Sequence, residues 1–337
     1  LLDRRLVVQR LWRSMTNQKG PLGPKIPVVF INPRTSDVDF GASATPPTVP
    51  RAALAEILRR IPVNSVKRIG LDVVLDQPAA DTGQLAAVLR QQNRQLVFSG
   101  WFSSESAAES AGSRTQRLSA ELIDTPLQTR KLDVNTPGYK STQQAPQPSP
   151  LRLHEAITAE NFAGTLSNHP RPVLPASAVI DWSINWGRLI QRVEPADLSA
   201  LKATTLLVGT TGNINPDEPD LFQAPGAAAA DLAELSGGSS REVPGVFVQA
   251  ALAQSINLQH WLKPQPLLAI TALSSGLGVL LAAAVRGRSR RLLWFALISL
   301  ISVLVSLELA VKTLMLFPLL LPLVALGSAT MIRGDER

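Results

Sequence analysis

Long uncharged apolar stretches fill the final part of this 337-residue chain. Residues 266–285 and residues 313–332 each contain 20 residues without a charge, and residues 292–307 contain 16. Glu308 and Lys312 follow the middle stretch, four residues apart, and are expected to form an ion pair. A bilayer core of about 30 Å requires about 20 helical residues, because a helix satisfies its own backbone hydrogen bonds in lipid. The pattern therefore predicts a hairpin bundle of three transmembrane helices at about residues 266–285, 292–311 and 313–332.

A cluster of arginines between the first two stretches predicts their direction. Arginines beside membrane helices stay in the cytoplasm, and this cluster comprises Arg286, Arg288, Arg290 and Arg291. The second helix then leads outwards and the third returns, so the short tail after residue 332 is expected to be cytoplasmic. Residues 1–264 are predicted to be extracytoplasmic (periplasmic), attached to the inner (plasma) membrane as part of a multi-pass protein. The alternative is a soluble protein with a helical hairpin anchor.

The first twelve residues do not have the pattern of a signal peptide. They place apolar residues at helical spacing but include three arginines, whereas a signal peptide has an uncharged apolar core of about 7–15 residues. An exported domain needs a segment that directs it to the membrane. We therefore expect an upstream transmembrane helix or signal sequence.

Short apolar runs alternate with helical patterns in the first hundred residues. Runs at residues 27–32, 69–75 and 95–100 predict buried strands. Residues 51–61 have the 3.6-residue period of an amphipathic helix, and Asp81 is a suitable N-cap for a second helix. Strands that alternate with helices form right-handed crossovers and a parallel sheet. We therefore predict an α/β domain with a mixed, mostly parallel sheet flanked by helices.

The rest of the soluble part is less regular. Residues 103–150 are rich in Ser, Gln, Thr and Pro and predict a long surface segment. After that segment we predict a helix at 151–163, strands at 178–183 and 204–209, a polar loop at 210–242 and a helix at 246–256.

Charge and composition exclude several classes of function. The net charge of +7 arises from 26 basic and 23 acidic residues before Gln265, and from 7 and 3 from Gln265 onwards. The soluble part is nearly balanced, so the basic pI does not support a nucleic-acid partner. The chain has no cysteine, and His154-Glu155 lacks the second histidine of a zinc-protease helix. We therefore expect no metal, no cofactor and no catalytic residues.

Candidate ligand-binding residues lie at the ends of the predicted strands. Asp72 and Asp76 are four residues apart, hence on one face of a strand, and a carboxylate among apolar neighbours is costly to bury. Gly209 and Thr210 end another strand, and Asp220 follows in the next loop. Because open parallel sheets bind ligands at the carboxyl ends of their strands, these five residues predict a cleft for an unidentified small ligand. In the structural alternative, Asp72 only fixes neighbouring backbone or a loop.

Motifs along most of the chain resemble those of one family. The similarity begins at residues 3–6, continues through residues 70–75 and is most specific at residues 201–211, where a lysine precedes an apolar strand and Gly209-Thr210. Residues 220–225 and 244–250 add two further motifs. Together they resemble the CHASE domain of the second type (CHASE2). The departures are Gln249 in place of a common histidine, Ala224 in place of threonine, and an apparent insertion at 226–240.

This resemblance implies an extracellular sensory domain of a bacterial receptor that relays the binding of a ligand or partner across the membrane. In the family, three membrane helices follow the domain and lead to a cytoplasmic kinase or cyclase, and this chain contains neither, so it is not expected to be an enzyme. The expected partners are the lipid bilayer and either a second copy of the chain or other membrane proteins. The alternative function is a non-signalling subunit or scaffold of a larger membrane complex.

Overall fold

The described part of the chain alternates strands and helices up to Pro264 and is mostly helical after it. The computed structural model describes residues 2–31, 51–73, 82–91, 95–98, 179–210, 221–223, 226–236, 242–318 and 320–331. The helices and strands in these ranges are, in chain order, α1 (Leu2–Met15), β1 (Ile26–Ile31), α2 (Arg51–Arg60), β2 (Val66–Asp72), α3 (Thr82–Arg90), β3 (Gln95–Phe98), β4 (Val179–Ile180), β5 (Ile190–Arg192), β6 (Ala203–Thr210), β7 (Leu221–Gln223), α4 (Ala229–Ser236), β8 (Glu242–Pro244), α5 (Gly245–Asn257), β9 (Trp261–Pro264), α6 (Leu267–Ala284), α7 (Arg288–Lys312), β10 (Met315–Leu316) and α8 (Leu320–Met331).

Five strands form a central sheet in the order β3-β2-β6-β1-β5. Every neighbouring pair in it is parallel. All six residues of β1 are buried, as expected for a parallel strand that is covered by helices on both faces. The predicted α/β domain with a mostly parallel sheet is therefore confirmed.

Two apolar layers cover the faces of this sheet. On one face, Val29 belongs to a buried cluster with Leu54 of α2 and Leu85 of α3. On the other face, the ring of Phe30 meets the ring of Phe247 of α5 edge-on, with 5.3 Å between the ring centroids. Because successive residues of a strand point to opposite faces, these two neighbours in β1 anchor the two layers.

A second sheet joins the α/β domain to the apolar helices. Its order is β10-β9-β4, and β9 leads directly into α6, while β10 lies between α7 and α8. The backbone N–H of Lys263 donates to the carbonyl oxygen of Leu314 (2.7 Å), and that of Gln265 donates to the carbonyl oxygen of Leu316 (2.9 Å). The start of α6, the end of α7 and the start of α8 therefore lie at the domain side, and the arginine-rich turn lies at the far ends of α6 and α7.

Two of the apolar helices are long enough to cross a membrane. These candidate spans are Leu267–Ala284 and Ser289–Lys312, and only 17% and 11% of the residues in an apolar 18-residue window of each are buried. The core helix of a soluble protein would be mostly buried, whereas Leu268, Leu273 and Leu293 remain 84%, 75% and 69% exposed. Such continuous exposed apolar surface is typical of a surface that contacts lipid or another protein.

The third predicted span, residues 313–332, is wrong at its start. Met315–Leu316 forms β10, and α8 begins only at Leu320 with 12 described residues. Adjacent apolar residues suit a strand as well as a helix, and here the carbonyl oxygens of Leu314 and Leu316 accept hydrogen bonds from the β9 segment. The described part of α8 is thus shorter than a bilayer requires, so three full-length spans are not established by the described residues.

Several other predicted elements occur with different bounds. The predicted strand at 178–183 is reduced to Val179–Ile180, because the chain turns at the next residue. The predicted loop at 210–242 is wrong in part, because it contains β7, α4 and the start of β8. Leu232 and Leu235 of α4 are buried in the core, which explains why this segment is ordered helix. The predicted surface segment at 103–150, the helix at 151–163 and Asp81 lie outside the described residues.

Candidate functional site

Three of the five predicted ligand-binding residues lie at one edge of the central sheet. Asp72 of β2 pairs in register with Gly209 of β6, and Thr210 pairs with Ile31 of β1. The carboxyl ends of these three neighbouring strands therefore meet at the same edge, as the sequence predicts. Asp76 and Asp220 lie outside the described residues, so the cleft itself stays a prediction.

Gly209 has a packing role at this edge. A Cβ atom added to it would lie 2.5 Å from Cβ of Val246, in the first turn of α5. That distance is far below van der Waals contact, so only glycine permits α5 to approach β6 so closely. Helix α5 therefore covers the end of β6 on one face of the sheet.

A buried polar network, which the sequence did not reveal, lies on the other side of the domain. Asp181 follows β4 and is fully buried. Its Oδ2 atom is 2.7 Å from Nη2 of Arg13 and 3.0 Å from Nε2 of His260. Its Oδ1 atom accepts hydrogen bonds from the backbone N–H (3.1 Å) and the hydroxyl of Ser183, and lies 3.5 Å from the amide nitrogen of Gln9. We call these residues the Asp181 network.

The electrostatics of the network favour a charged carboxylate. Burial raises the pKa of Asp181, but the hydrogen bond from His260, the charge of Arg13 and the hydroxyl of Ser183 together hold it below its ordinary value. The guanidinium Nε–H of Arg13 also donates to Oγ of Ser183 at 3.0 Å. Both oxygens of the carboxylate thus have partners, which is the condition under which a buried ion pair is tolerated.

The network joins α1 to the segment that leads into the first apolar helix. Arg13 lies in the last turn of α1, the first helix of the chain, and Gln9 precedes it by one turn on the same face. His260 comes immediately before β9, which leads into α6. Asp181 therefore holds α1 and the segment that leads to the first apolar helix together.

A second set of contacts connects α1 directly with α7. Arg5 donates to Oγ of Ser306 (2.6 Å) and to the backbone oxygen of Phe317, and burial lowers the pKa of Arg5 to about 10. The indole N–H of Trp12 donates to Oε2 of Glu308 at 2.8 Å. Helix α1 thus contacts the last turns of a candidate membrane span as well as the domain.

Glu308 is shared by three residues from different parts of the chain. Its Oε1 atom is 2.6 Å from Nζ of Lys312, so the ion pair expected from their spacing is confirmed. Trp12 and the amide of Gln18 (3.2 Å) approach the same carboxylate, and these two partners were missed. No sequence pattern links residues almost 300 positions apart. An acidic residue near the end of an apolar helix was the only available signal.

Helix α1 also binds to α4 on a further side. Arg10 forms two parallel hydrogen bonds with the carboxylate of Asp231, at 2.8 and 2.7 Å, and a third with the backbone oxygen of Ala227. A bidentate arginine–carboxylate pair is geometrically specific. Helix α1 is therefore bound to α4, to the Asp181 network and to α7, and it connects all three.

Comparison with known proteins identifies one family. The family model of the CHASE2 domain matches residues 2–287 of this chain. No curated protein matches the chain, and no solved structure matches it. The matched region begins in α1 and extends through α6 to the arginine-rich turn, so it contains both the sheet edge and the Asp181 network.

Proposed function

This chain belongs to the CHASE2 domain family, whose members are extracellular sensory domains, and we propose that it is the sensory part of a bacterial signal-transduction receptor. In this proposal the α/β domain binds a ligand or a partner, and the helices that follow relay the event across the membrane. The chain itself has a sensory and not a catalytic role. The observation that carries the proposal is the Asp181 network, because it couples α1 to the segment that leads into α6.

The proposed relay uses a shift between two packed arrangements. A ligand can move an equilibrium only if it binds one arrangement better than the other. Helix α1 contacts the domain through Arg13 and contacts α7 through Arg5 and Trp12. A change in the position of α1 would therefore alter the domain and the outer part of α7 together, as in the helix shifts of other switching proteins.

The proposed ligand site is the carboxyl edge of the central sheet, bordered by Asp72, Asp76, Gly209, Thr210 and Asp220. Its support is the register that places Asp72 beside Gly209 and the general use of this edge by open parallel sheets. An Asp72→Asn variant is expected to weaken the binding of a ligand found by screening the purified protein. Unchanged affinity in that variant would remove Asp72 from the site.

We propose that the domain is extracytoplasmic and that the arginine-rich turn is cytoplasmic, in the plasma membrane. Two candidate spans and the position of the turn at the far ends of α6 and α7 support this arrangement, together with the charge rule for membrane proteins. In this topology α8 would return the chain to the cytoplasmic side. Lipids would then surround the exposed leucines of α6 and α7.

Single cysteines test this topology cleanly, because the natural chain contains none. Asn64→Cys places a thiol at an exposed position of the domain, and Ser289→Cys places one in the arginine-rich turn. A membrane-impermeant maleimide is expected to label the first variant in cells with a permeabilised outer envelope, and the second only after the inner membrane is opened. Labelling in the reverse order would refute the proposed orientation.

One observation favours the alternative function of a subunit in a larger membrane complex. Val8, Leu11 and Met15 are 45%, 58% and 80% exposed and recur on one face of α1. An exposed apolar stripe of this kind is suited to contact with another protein or a second copy of the chain. A photo-crosslinker at Leu11, followed by mass spectrometry, would identify a partner; adducts with lipid alone would count against a complex.

A further inference from the structure

A cleft of about 280 Å³ opens between the turn after α1 and the segment before β5. Both walls precede strands of the central sheet, since Lys19–Pro21 leads towards β1 and Arg188–Leu189 leads into β5. The cleft therefore lies at the amino-terminal side of these strands, opposite the edge that contains Asp72. It is lined by 13 residues, several of them polar, and none of the 13 is acidic.

The charges that line this basic cleft are unbalanced. Four of the lining side chains are cationic: Arg10, Arg13, Lys19 and Arg188. The first two are paired with carboxylates behind the cleft wall. Lys19 and Arg188 are exposed, and neither forms an ion pair within the described part of the chain. The cleft therefore presents two uncompensated positive charges from opposite walls.

The walls of the basic cleft are held at a fixed separation. Gly20 lies so close to Ile184 that an added Cβ would be 2.9 Å from its Cγ2 atom. Arg13 ties the same two segments together through its 3.0 Å hydrogen bond to Ser183. A site whose groups are already in place loses less conformational entropy when a ligand binds.

We propose that the basic cleft binds a phosphate group, held between Lys19 and Arg188. A phosphate monoester carries about −1.5 to −2 charges near pH 7, which matches the two uncompensated cations. A guanidinium presents paired N–H donors that fit phosphate oxygens, and a lysine adds a mobile point charge. Ser14, Asn17 and Asn185, which also line the cleft, can donate further hydrogen bonds.

The phosphate can be carried by a soluble anion or by a lipid headgroup. Gln18 lines the cleft and also donates to Glu308, in the last turns of the candidate span α7. The cleft is thus close to the place where α7 would leave a bilayer. Phosphate binding does not depend on the proposed sensory function. An effect of that binding on the position of α1 does rest on it, because Lys19 follows α1, which carries Arg13 of the Asp181 network.

Titration of the full chain tests the site. The protein in detergent at low ionic strength is titrated with inorganic phosphate and with phenyl phosphate, followed by calorimetry. Lys19→Gln and Arg188→Gln are each expected to weaken binding about fivefold, the effect of about 1 kcal/mol for one exposed charge, and the double variant more than either. Lys67→Gln removes an exposed cation from β2 and is the matched control.

Nanodiscs separate the two sources of phosphate. If a lipid headgroup is the ligand, anionic phosphatidylglycerol is expected to raise the thermal stability of the natural protein above that in phosphatidylcholine, with a smaller gain in the double variant. If a soluble anion is the ligand, phosphate binds equally in both lipids. The proposal is overturned if neither phosphate nor anionic lipid binds, or if Lys67→Gln weakens binding as much as Arg188→Gln. Circular dichroism confirms that each variant is folded.

Discussion

Replacing Asp181 by asparagine tests directly how much the Asp181 network stabilises the protein. The substitution keeps the shape of the side chain but removes the charge that faces Arg13 at 2.7 Å and His260 at 3.0 Å. The side chains of Asp181 and Arg13 are only 0% and 7% exposed, so solvent cannot replace the lost partner. Removing one partner of a buried ion pair costs about 3–5 kcal/mol, a large share of the about 5–15 kcal/mol that stabilises a typical domain.

Thermal unfolding of the full chain in detergent measures this cost. Trp182 directly follows Asp181, and its buried ring lies 5.6 Å from the buried ring of Trp186, so tryptophan fluorescence reports loss of this packing. For a domain of this size a loss of 3–5 kcal/mol corresponds to a fall in the melting temperature on the order of 10 °C. Asp197→Asn removes an exposed aspartate and serves as the matched control, with a change of less than about 0.5 kcal/mol expected.

The double variant Arg13→Met/Asp181→Asn distinguishes a coupled pair from two independent contacts. The double variant leaves no unpaired guanidinium, so its loss of stability should be smaller than the sum of the two single losses. The reasoning is refuted if Asp181→Asn melts within about 1 °C of the Asp197→Asn control. Strict additivity of the two single losses would show that Arg13 and Asp181 do not act as a pair.

Three further predictions follow from the same contacts. The pKa of Asp181 is lowered, so its contribution to stability is complete above the ordinary aspartate pKa of about 4 and is lost as the pH falls through the lowered value. Melting temperatures measured between pH 5 and pH 2 should therefore fall more steeply for the natural protein than for Asp181→Asn. Gly209→Ala forces a Cβ into α5 and should cost about 1–3 kcal/mol, whereas Gly83→Ala, with nothing within 4 Å, should not destabilise; equal melting temperatures would contradict this. Trp12→Phe removes the hydrogen bond to Glu308 and should lower the free energy of unfolding by only about 1 kcal/mol. The distribution of distances between spin labels on α1 and α7, measured by electron paramagnetic resonance, should broaden; an unchanged distribution would show that the bond does not position α1.

The central sheet could be predicted because its determinants are local. β1 is a short apolar run, the buried part of β2 overlaps the apolar run that begins at Ile69, and β6 contains the apolar run at 206–208. The helical period of α2 lies between β1 and β2. Parallel pairing follows from the alternation of strands and helices. The start of α8 could not be predicted in this way, because Met315 and Leu316 are as apolar as a membrane helix and only their pairing with β9 makes them a strand.

The sheet-edge residues could be predicted from local sequence, whereas the Asp181 network could not. Asp72 is a carboxylate among apolar residues in the sequence, and Asp181 has the same pattern, between Ile180 and Trp182. The cost of burying that carboxylate could have marked it as a paired group. Its partners Arg13 and His260 lie 168 and 79 positions away, and only the folded chain shows that they meet.

The strand between α7 and α8 constrains how the domain can act on the apolar helices. Because β10 shares backbone hydrogen bonds with β9, α6 cannot slide as a lone piston while its neighbours stay still. Any displacement that preserves these bonds moves the start of α6, the end of α7 and the start of α8 together. In the proposed topology the bilayer would resist such a joint movement, so its thickness and stiffness would influence how strongly the domain can act on the helices.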